Sequence, residues 1–312
     1  MQRSLKGWKQ RFRQDLLMRG FSPRTADGYT SELAPLFEFL TERGVEKLTQ
    51  VTRDDLESYR HHLFHGTFRG KRLGLGSQAR RLAAVKSFFG FLTDQQMLLV
   101  DPAARLRRPR VPKTVPRLLL TERETQALMQ APDITTPLGI RNRAIIELLY
   151  STAIRNTELR DLLLGEVDLE RQELFVARGK GGRSRCLPLG EEAAACLDDY
   201  LTNARPYLAG AASGDLVFLS ATGRRFDRGK LAELVRELAQ GCGLEKPVTP
   251  HLLRHACATH MLRRGAGVRQ LQALLGHEDL NSTQRYTRID IGDLHKVVSQ
   301  YHPRERGFDD EA

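Results

Sequence analysis

Four short segments hold side chains able to bind an anion, move a proton or attack as a nucleophile. LLYSTAIRNTEL sets Arg155 and Glu158 three apart after an apolar run. GKGGR holds Lys180, the one lysine between Lys113 and Lys230. TPHLLRHACATHML puts His251 one helical turn before Arg254, and LLGHEDLNSTQRYTRI places His277 nine residues ahead of Tyr286. Arginine keeps its charge at any working pH, and its planar fork grips two oxygens of an oxyanion at once. Lysine and histidine can pass protons, and a tyrosine hydroxyl can form a covalent intermediate. Taken singly, each pattern is weak. Arg155 and Glu158 fit an ordinary surface ion pair, Lys180 a solvated turn, and Tyr286 a core tyrosine. His255 and His260 read as structural, because Cys257 is two residues from His255, on a different helix face, with no acidic partner close by.

Together and in this order, the segments resemble the tyrosine recombinase (phage integrase) family, whose motifs run Arg, Lys, His-x-x-Arg, His, Tyr. Attack on a phosphodiester builds negative charge on the non-bridging oxygens, which suits an arginine clamp of Arg155 and Arg254. The resemblance makes Tyr286 the nucleophile, linked to a 3′ phosphate, and Lys180 the general acid for the leaving 5′ oxygen. It makes His251 the helper of Tyr286 and His277 a phosphate contact, with Glu158 orienting its neighbours rather than reacting. No metal or other cofactor is implied. LHKVVSQYHPRER at the C-terminus is similar to the Xer branch, in which the last helix docks on a neighbouring protomer of a cyclic tetramer. The sequence departs from the family at Arg288, where Xer proteins often carry histidine, and at the polar Asn156. Neither belongs to the chemical set. The implied activity is site-specific recombination, as in chromosome or plasmid dimer resolution. A mobile-element integrase or transposase, a type IB topoisomerase, a telomere resolvase or a catalytically silent DNA-binding relative are the alternatives.

The elements that must position these residues can be read from periodicity. The expected fold is mainly α with a small β-sheet: a helical-bundle core-binding domain over 1–100, a basic Pro-rich linker over 101–117, and a mixed α/β catalytic domain over 118–312. Trp8, Phe12 and Leu16 mark one helix face. Ser22-Pro23 starts a second helix with the stripe Tyr29, Leu33, Leu36, Phe37 and Leu40. Thr52 and Asp55 form a capping box ahead of Leu56, Tyr59 and Leu63. Ser77 is expected to cap a fourth helix that buries Leu82, Val85 and Phe89 and presents Arg80, Arg81 and Lys86 to DNA. In the linker, four prolines among six basic residues predict extended chain. Beyond it, Thr121 caps a helix and 140–150 forms a strongly apolar one. Strands are expected at 173–177 and 185–189, with a doubtful one at 166–169, and the hairpin tip carries Lys180. Helices follow at 190–203, 228–240, 250–264 and 267–275.

Bulk composition is consistent with this. Net charge is +11, and residues 1–117 hold 23 Lys and Arg against 11 Asp and Glu, so the excess sits in the first third. That charge points to a polyanionic partner. The family resemblance implies that this partner is double-stranded DNA carrying a short inverted repeat, bound by a homo- or hetero-tetramer on two sites, and leaves room for a partner recombinase or activating protein. No apolar stretch approaches the ~20 residues of a membrane span, and no secretion signal opens the chain. The four cysteines, Cys186, Cys196, Cys242 and Cys257, are scattered and fit reduced thiols in the cytoplasm.

Overall fold

A computed structural model describes residues 5–68, 70–112, 119–177, 184–276 and 290–308. It divides into two compact units, Met1–Val115 and Pro116–Ala312. Among the described residues no helix is long and apolar enough to cross a membrane.

The first unit is built from α1 (Leu5–Met18), α2 (Pro23–Ser31), α3 (Ala34–Glu42), α4 (Arg53–His65) and α5 (Leu75–Asp94). A two-residue-stranded hairpin, β1 (Thr67–Phe68) with β2 (Lys71–Arg72), precedes α5. Trp8, Phe12 and Leu16 are buried as their spacing requires, and Phe12 meets Phe88 edge-on with ring centroids 5.4 Å apart. Ser22 caps α2 by accepting the Thr25 amide at 3.1 Å, and Thr52 with Asp55 forms the expected box.

Two expectations change. The single helix read from Tyr29 to Leu40 is two, α2 and α3, interrupted at Glu32 and Leu33. Pro35 sits in the first turn of α3, where its missing N–H and its ring forbid a continuous helix through Ser31. Likewise Ser77 is not the cap of α5. The helix opens two residues earlier, and the Gly74 carbonyl accepts the amides of Ser77 and Gln78.

The start of the basic Pro-rich segment belongs to this bundle. Ala103 and Leu106 are buried in its core, and the Lys86 ammonium donates to the carbonyls of Ala104 at 3.0 Å and Leu106 at 3.4 Å. From Arg107 to Pro112 the chain is largely exposed and without regular structure.

The second unit opens on α6 (Glu122–Gln130), capped reciprocally by Thr121 and Glu124. Next comes α7 (Pro137–Ser151), whose run from Ala144 to Tyr150 is buried throughout. Apolar on all its faces except at Glu147, this run anchors the domain core. After the short α8 (Asn156–Arg160) lies an antiparallel sheet of β3 (Val167–Asp168), β4 (Glu173–Val176) and β5 (Arg185–Pro188). Its register pairs Leu174 with Leu187 and Val176 with Arg185.

The helix read at 190–203 is α9 (Glu191–Asp199), a π-helical turn over Tyr200–Ala204, and α10 (Arg205–Leu208). The wide turn accommodates Pro206, which has no N–H to return to Thr202. α11 (Lys230–Gly241), α12 (Pro250–Arg263) and α13 (Val268–Leu275) follow close to their expected positions. At the C-terminus, α14 (Ile291–Tyr301) and α15 (Pro303–Arg306) pack within the same unit, burying Leu294, Val297 and Val298.

Candidate active site

Three of the residues singled out by chemistry, Arg155, Glu158 and Arg254, meet at the junction of α8, α12 and the end of α13. α7 ends at Thr152, whose hydroxyl donates to the Leu148 carbonyl and accepts the Ile154 amide. Between them Ala153 takes a left-handed conformation, φ 49°. That geometry costs a non-glycine residue roughly 1–2 kcal/mol. It turns the Ala153 carbonyl toward Arg254, which donates to it and to the carbonyl of Leu275.

Arg155 is the N-cap of α8, and Glu158 answers it from the first turn. The Arg155 amide reaches Glu158 Oε2 at 2.9 Å, and its guanidinium reaches Oε1 at 2.8 Å. The other arm of Arg155 donates to the carbonyls of Gly276 at 3.0 Å and Leu275 at 3.3 Å. Gly276 ends α13 in the left-handed region, φ 58°, so glycine suits this stop.

A third arginine completes the cluster. Arg185, on β5, donates to Glu158 Oε1 at 2.9 Å and to Oε2 at 2.8 Å, a bidentate fork. No motif in the sequence singles it out, although its strand phase carries a signal. Arg185 is in phase with Leu187 and pairs with Val176, so it lies on the inward face of the strand, where a charge needs a partner.

The electrostatics follow from three guanidinium groups around one carboxylate. Burial pushes the Glu158 carboxyl up, but hydrogen bonds from Arg185 and from the Arg155 amide and guanidinium outweigh it and hold it at about 2. Burial first, then the neighbouring charges of Arg155 and Arg185, bring the Arg254 guanidinium down to about 10. The cluster therefore carries a surplus of positive charge that a bound anion would relieve.

A depressed carboxylate contributes stability present above its unfolded value near 4.5 and lost as pH falls toward 2. The expected loss is about 3 kcal/mol, spread over that window. Urea midpoints measured from pH 5 to pH 2 should fall less steeply in Glu158→Gln than in the natural sequence. Equal slopes would remove this role from Glu158.

His251 stands in the first turn of α12, behind the Thr249 cap, and is exposed while Arg254 one turn later is buried. His255 is pushed down by burial and then by the charge of His251. His260 is buried between the Tyr150 hydroxyl at 2.9 Å and the Leu120 carbonyl at 2.8 Å, a structural position. Among the described residues no three His, Cys, Asp or Glu side chains are grouped to hold a metal ion. Lys180, His277 and Tyr286 lie outside the described residues.

The proposed DNA-reading residues are placed in the first unit. Arg80 and Arg81 both donate to Glu32, at 2.8 and 3.2 Å, with Arg80 exposed and Arg81 largely covered. Lys86 is the clamp on Ala104 and Leu106 described above.

Comparison with known proteins agrees with this architecture. The family described as "Phage integrase family" matches residues 119–291. The domain described as "Phage integrase, N-terminal SAM-like domain" matches 10–96. Tyrosine recombinase XerC 2 of Ralstonia nicotianae is 41% identical over 291 residues, covering 92% of this chain and 83% of the relative. Tyrosine recombinase XerD of Pseudomonas putida is 36% identical over 288 residues, covering 92% and 94%. Among solved structures, a lambda integrase dimer bound to a COC' core site superposes with a TM-score of 0.68 at 19% identity, over 99% of this chain and 80% of that one. XerH recombinase in a post-cleavage complex with palindromic difH substrate gives 0.68 at 20% identity, over 90% and 81%. These two likenesses establish the fold.

Proposed function

Because the chain belongs to the phage integrase family, the tyrosine recombinases, we propose that it cleaves and rejoins DNA strands through a 3′-phosphotyrosyl bond to Tyr286. The site is a short inverted repeat, bound by a tetramer on two duplexes in the manner of the Xer branch. The single observation that carries this reading is the cluster of Arg155, Arg185 and Arg254, the first two bonded to the carboxylate of Glu158. Such a surplus of fixed donors suits a pentacoordinate phosphate, whose equatorial oxygens gain charge as the nucleophile approaches.

In the proposed sequence, the Tyr286 hydroxyl oxygen attacks phosphorus and loses its proton toward His251. Arg155 and Arg254 hold the non-bridging oxygens, with His277 as a further contact. The bond from phosphorus to the 5′ oxygen breaks, and Lys180 supplies the proton that makes this oxygen a neutral leaving group. Attack by a 5′ hydroxyl on the phosphotyrosine then reverses these transfers and restores the phosphodiester. Side chains supply all the positive charge, without a cofactor, and the setting is the cytoplasm. α14, which packs on its own unit here, is the element that would exchange with a neighbouring protomer.

Covalent trapping tests the reading. The protein is mixed with nicked duplexes from a random or genomic pool, adducts resistant to denaturant are recovered, and their DNA is sequenced. The expected result is adducts enriched for one inverted-repeat sequence and absent with Tyr286→Phe. Adducts that persist in Tyr286→Phe would displace the nucleophile. Relaxation of any supercoiled plasmid, with no preferred site, would favour a topoisomerase.

A further inference from the structure

The inference rests on the recombinase reading and deepens it. Glu158 presents a problem in electrostatics. It orients Arg155 through its backbone amide and its guanidinium, yet a carboxylate 2.8 Å from an arginine cancels much of the charge that arginine could offer to a ligand. Its side chain is 4% exposed, so water screens this cancellation only weakly.

Arg185 answers that problem. Both terminal nitrogens of its guanidinium are engaged by Glu158, its remaining nitrogen Nε is buried without a partner among the described residues, and its side chain is 14% exposed. Its two hydrogen bonds within the cluster both go to Glu158, so its charge is felt chiefly through that carboxylate. Arg155 is the more exposed of the two at 24%, and its second arm crosses to the Leu275 and Gly276 carbonyls. The aliphatic end of Arg185 also lies under Gly276, where an added Cβ would stand 3.2 Å from its Cδ and Nε.

We propose that Arg185 is a positioning residue of the reaction. By taking both oxygens of Glu158, it lets that carboxylate hold Arg155 in place without cancelling the positive charge that Arg155 offers to the scissile phosphate. A buried carboxylate shared by two guanidinium groups leaves one net positive charge on the pair, and Arg254 adds a second. Without Arg185 the same carboxylate would neutralise Arg155.

The test is a rescue experiment in single-turnover cleavage of a nicked duplex carrying the site found by trapping. Arg185→Met should bind the duplex as the natural chain does and cleave it about 100-fold more slowly. Adding Glu158→Gln to Arg185→Met should recover about tenfold of that loss. The amide oxygen still accepts from Arg155 but brings no negative charge. Arg185→Lys keeps the compensating charge without the fork, so it should fall between the natural chain and Arg185→Met.

A purely structural Arg185 makes the opposite prediction for the double variant, which would then be no better than Arg185→Met. That result overturns the proposal. So does a folded Arg185→Met that cleaves as the natural chain does, or an Arg185→Lys as slow as Arg185→Met. If Arg185→Met does not fold, Arg185→Lys with and without Glu158→Gln decides the matter. Glu158→Gln should then speed cleavage little, because lysine already offsets the carboxylate, whereas a large gain counts against the proposal. A natural chain that forms no adduct on a verified site fails the recombinase reading itself, a separate outcome.

Discussion

Arg254→Ala should slow strand cleavage about 1,000-fold while moving folding stability by no more than about 1 kcal/mol. The first figure follows from the position. Removing one preorganised donor from a developing oxyanion costs roughly 10²–10³-fold, and a guanidinium brings both arms and a full charge. The second figure is a balance of opposed effects. Burial and the charges of Arg155 and Arg185 lower the Arg254 guanidinium to about 10, a cost to the folded state of about 3 kcal/mol. Its hydrogen bonds to the Ala153 and Leu275 carbonyls give back a similar amount, since charge-assisted bonds contribute about 1.5–3 kcal/mol each. After truncation Leu275 still receives Arg155, which leaves Ala153 as the one carbonyl short of a donor. Single-turnover cleavage and urea denaturation on the same preparation check both halves. A variant that cleaves normally would remove Arg254 from the clamp. A loss of 3 kcal/mol or more would make its role chiefly structural. Arg254→Lys should be nearly as slow as Arg254→Ala, because an ammonium cannot span two acceptors in a plane.

How much of this was legible in the sequence depended on whether the determinant was local. Helix faces follow from spacing along one segment, so Trp8, Phe12 and Leu16, the box at Thr52 and the cap at Thr121 are where periodicity and capping put them. The Arg155–Glu158 pair was legible for the same reason. Its meaning was not, because a pair three residues apart looks the same on a surface as in a buried cluster. What distinguishes it is Arg185, 27 positions later on another strand. That contact depends on sheet register, which spacing alone does not encode.

The break between α2 and α3 was local and readable. Pro35 stands inside the apolar stripe, and its missing N–H outweighs the periodicity there. Lys86 shows the opposite case. A basic residue on an amphipathic helix suggests a phosphate contact, yet its ammonium is taken by two carbonyls of the segment that follows α5. Only the folded path of 101–106 reveals that.

Arg304→Met should release the C-terminal segment, at a cost of about 4 kcal/mol to its docking. Glu147 lies wholly buried on α7, and its close cationic partner is Arg304, with Nε 2.7 Å from Oε1. Arg143 stands farther off at 3.7 Å. Breaking a buried pair from one side costs about 3–5 kcal/mol, because the remaining charge is left in a medium that solvates it poorly. The segment makes other contacts: Arg304 reaches Glu192 at 2.9 Å, Glu305 accepts the Glu191 amide at 3.2 Å, and the buried His302 ring lies 5.0 Å from Tyr150. These contacts set a ceiling. Once their sum is exceeded, the chain responds by undocking α15 rather than by unfolding the domain, which exposes Glu147 to water. The expected signature is therefore early proteolysis after α14 with little change in the main urea transition. Acid should act on the same joint, since burial pushes His302 down to about 3. A group depressed in this way loses docking stability as pH falls from about 6.5, at roughly 1.4 kcal/mol per pH unit. Pairing Arg304→Met with Glu147→Leu should restore much of the protection, because an apolar side chain in that place leaves no charge to solvate. If the double variant is cut as readily as Arg304→Met, the ion pair is not what holds the segment. An exchange of α14 between protomers would then begin from a joint held by His302 and the apolar face of the helix.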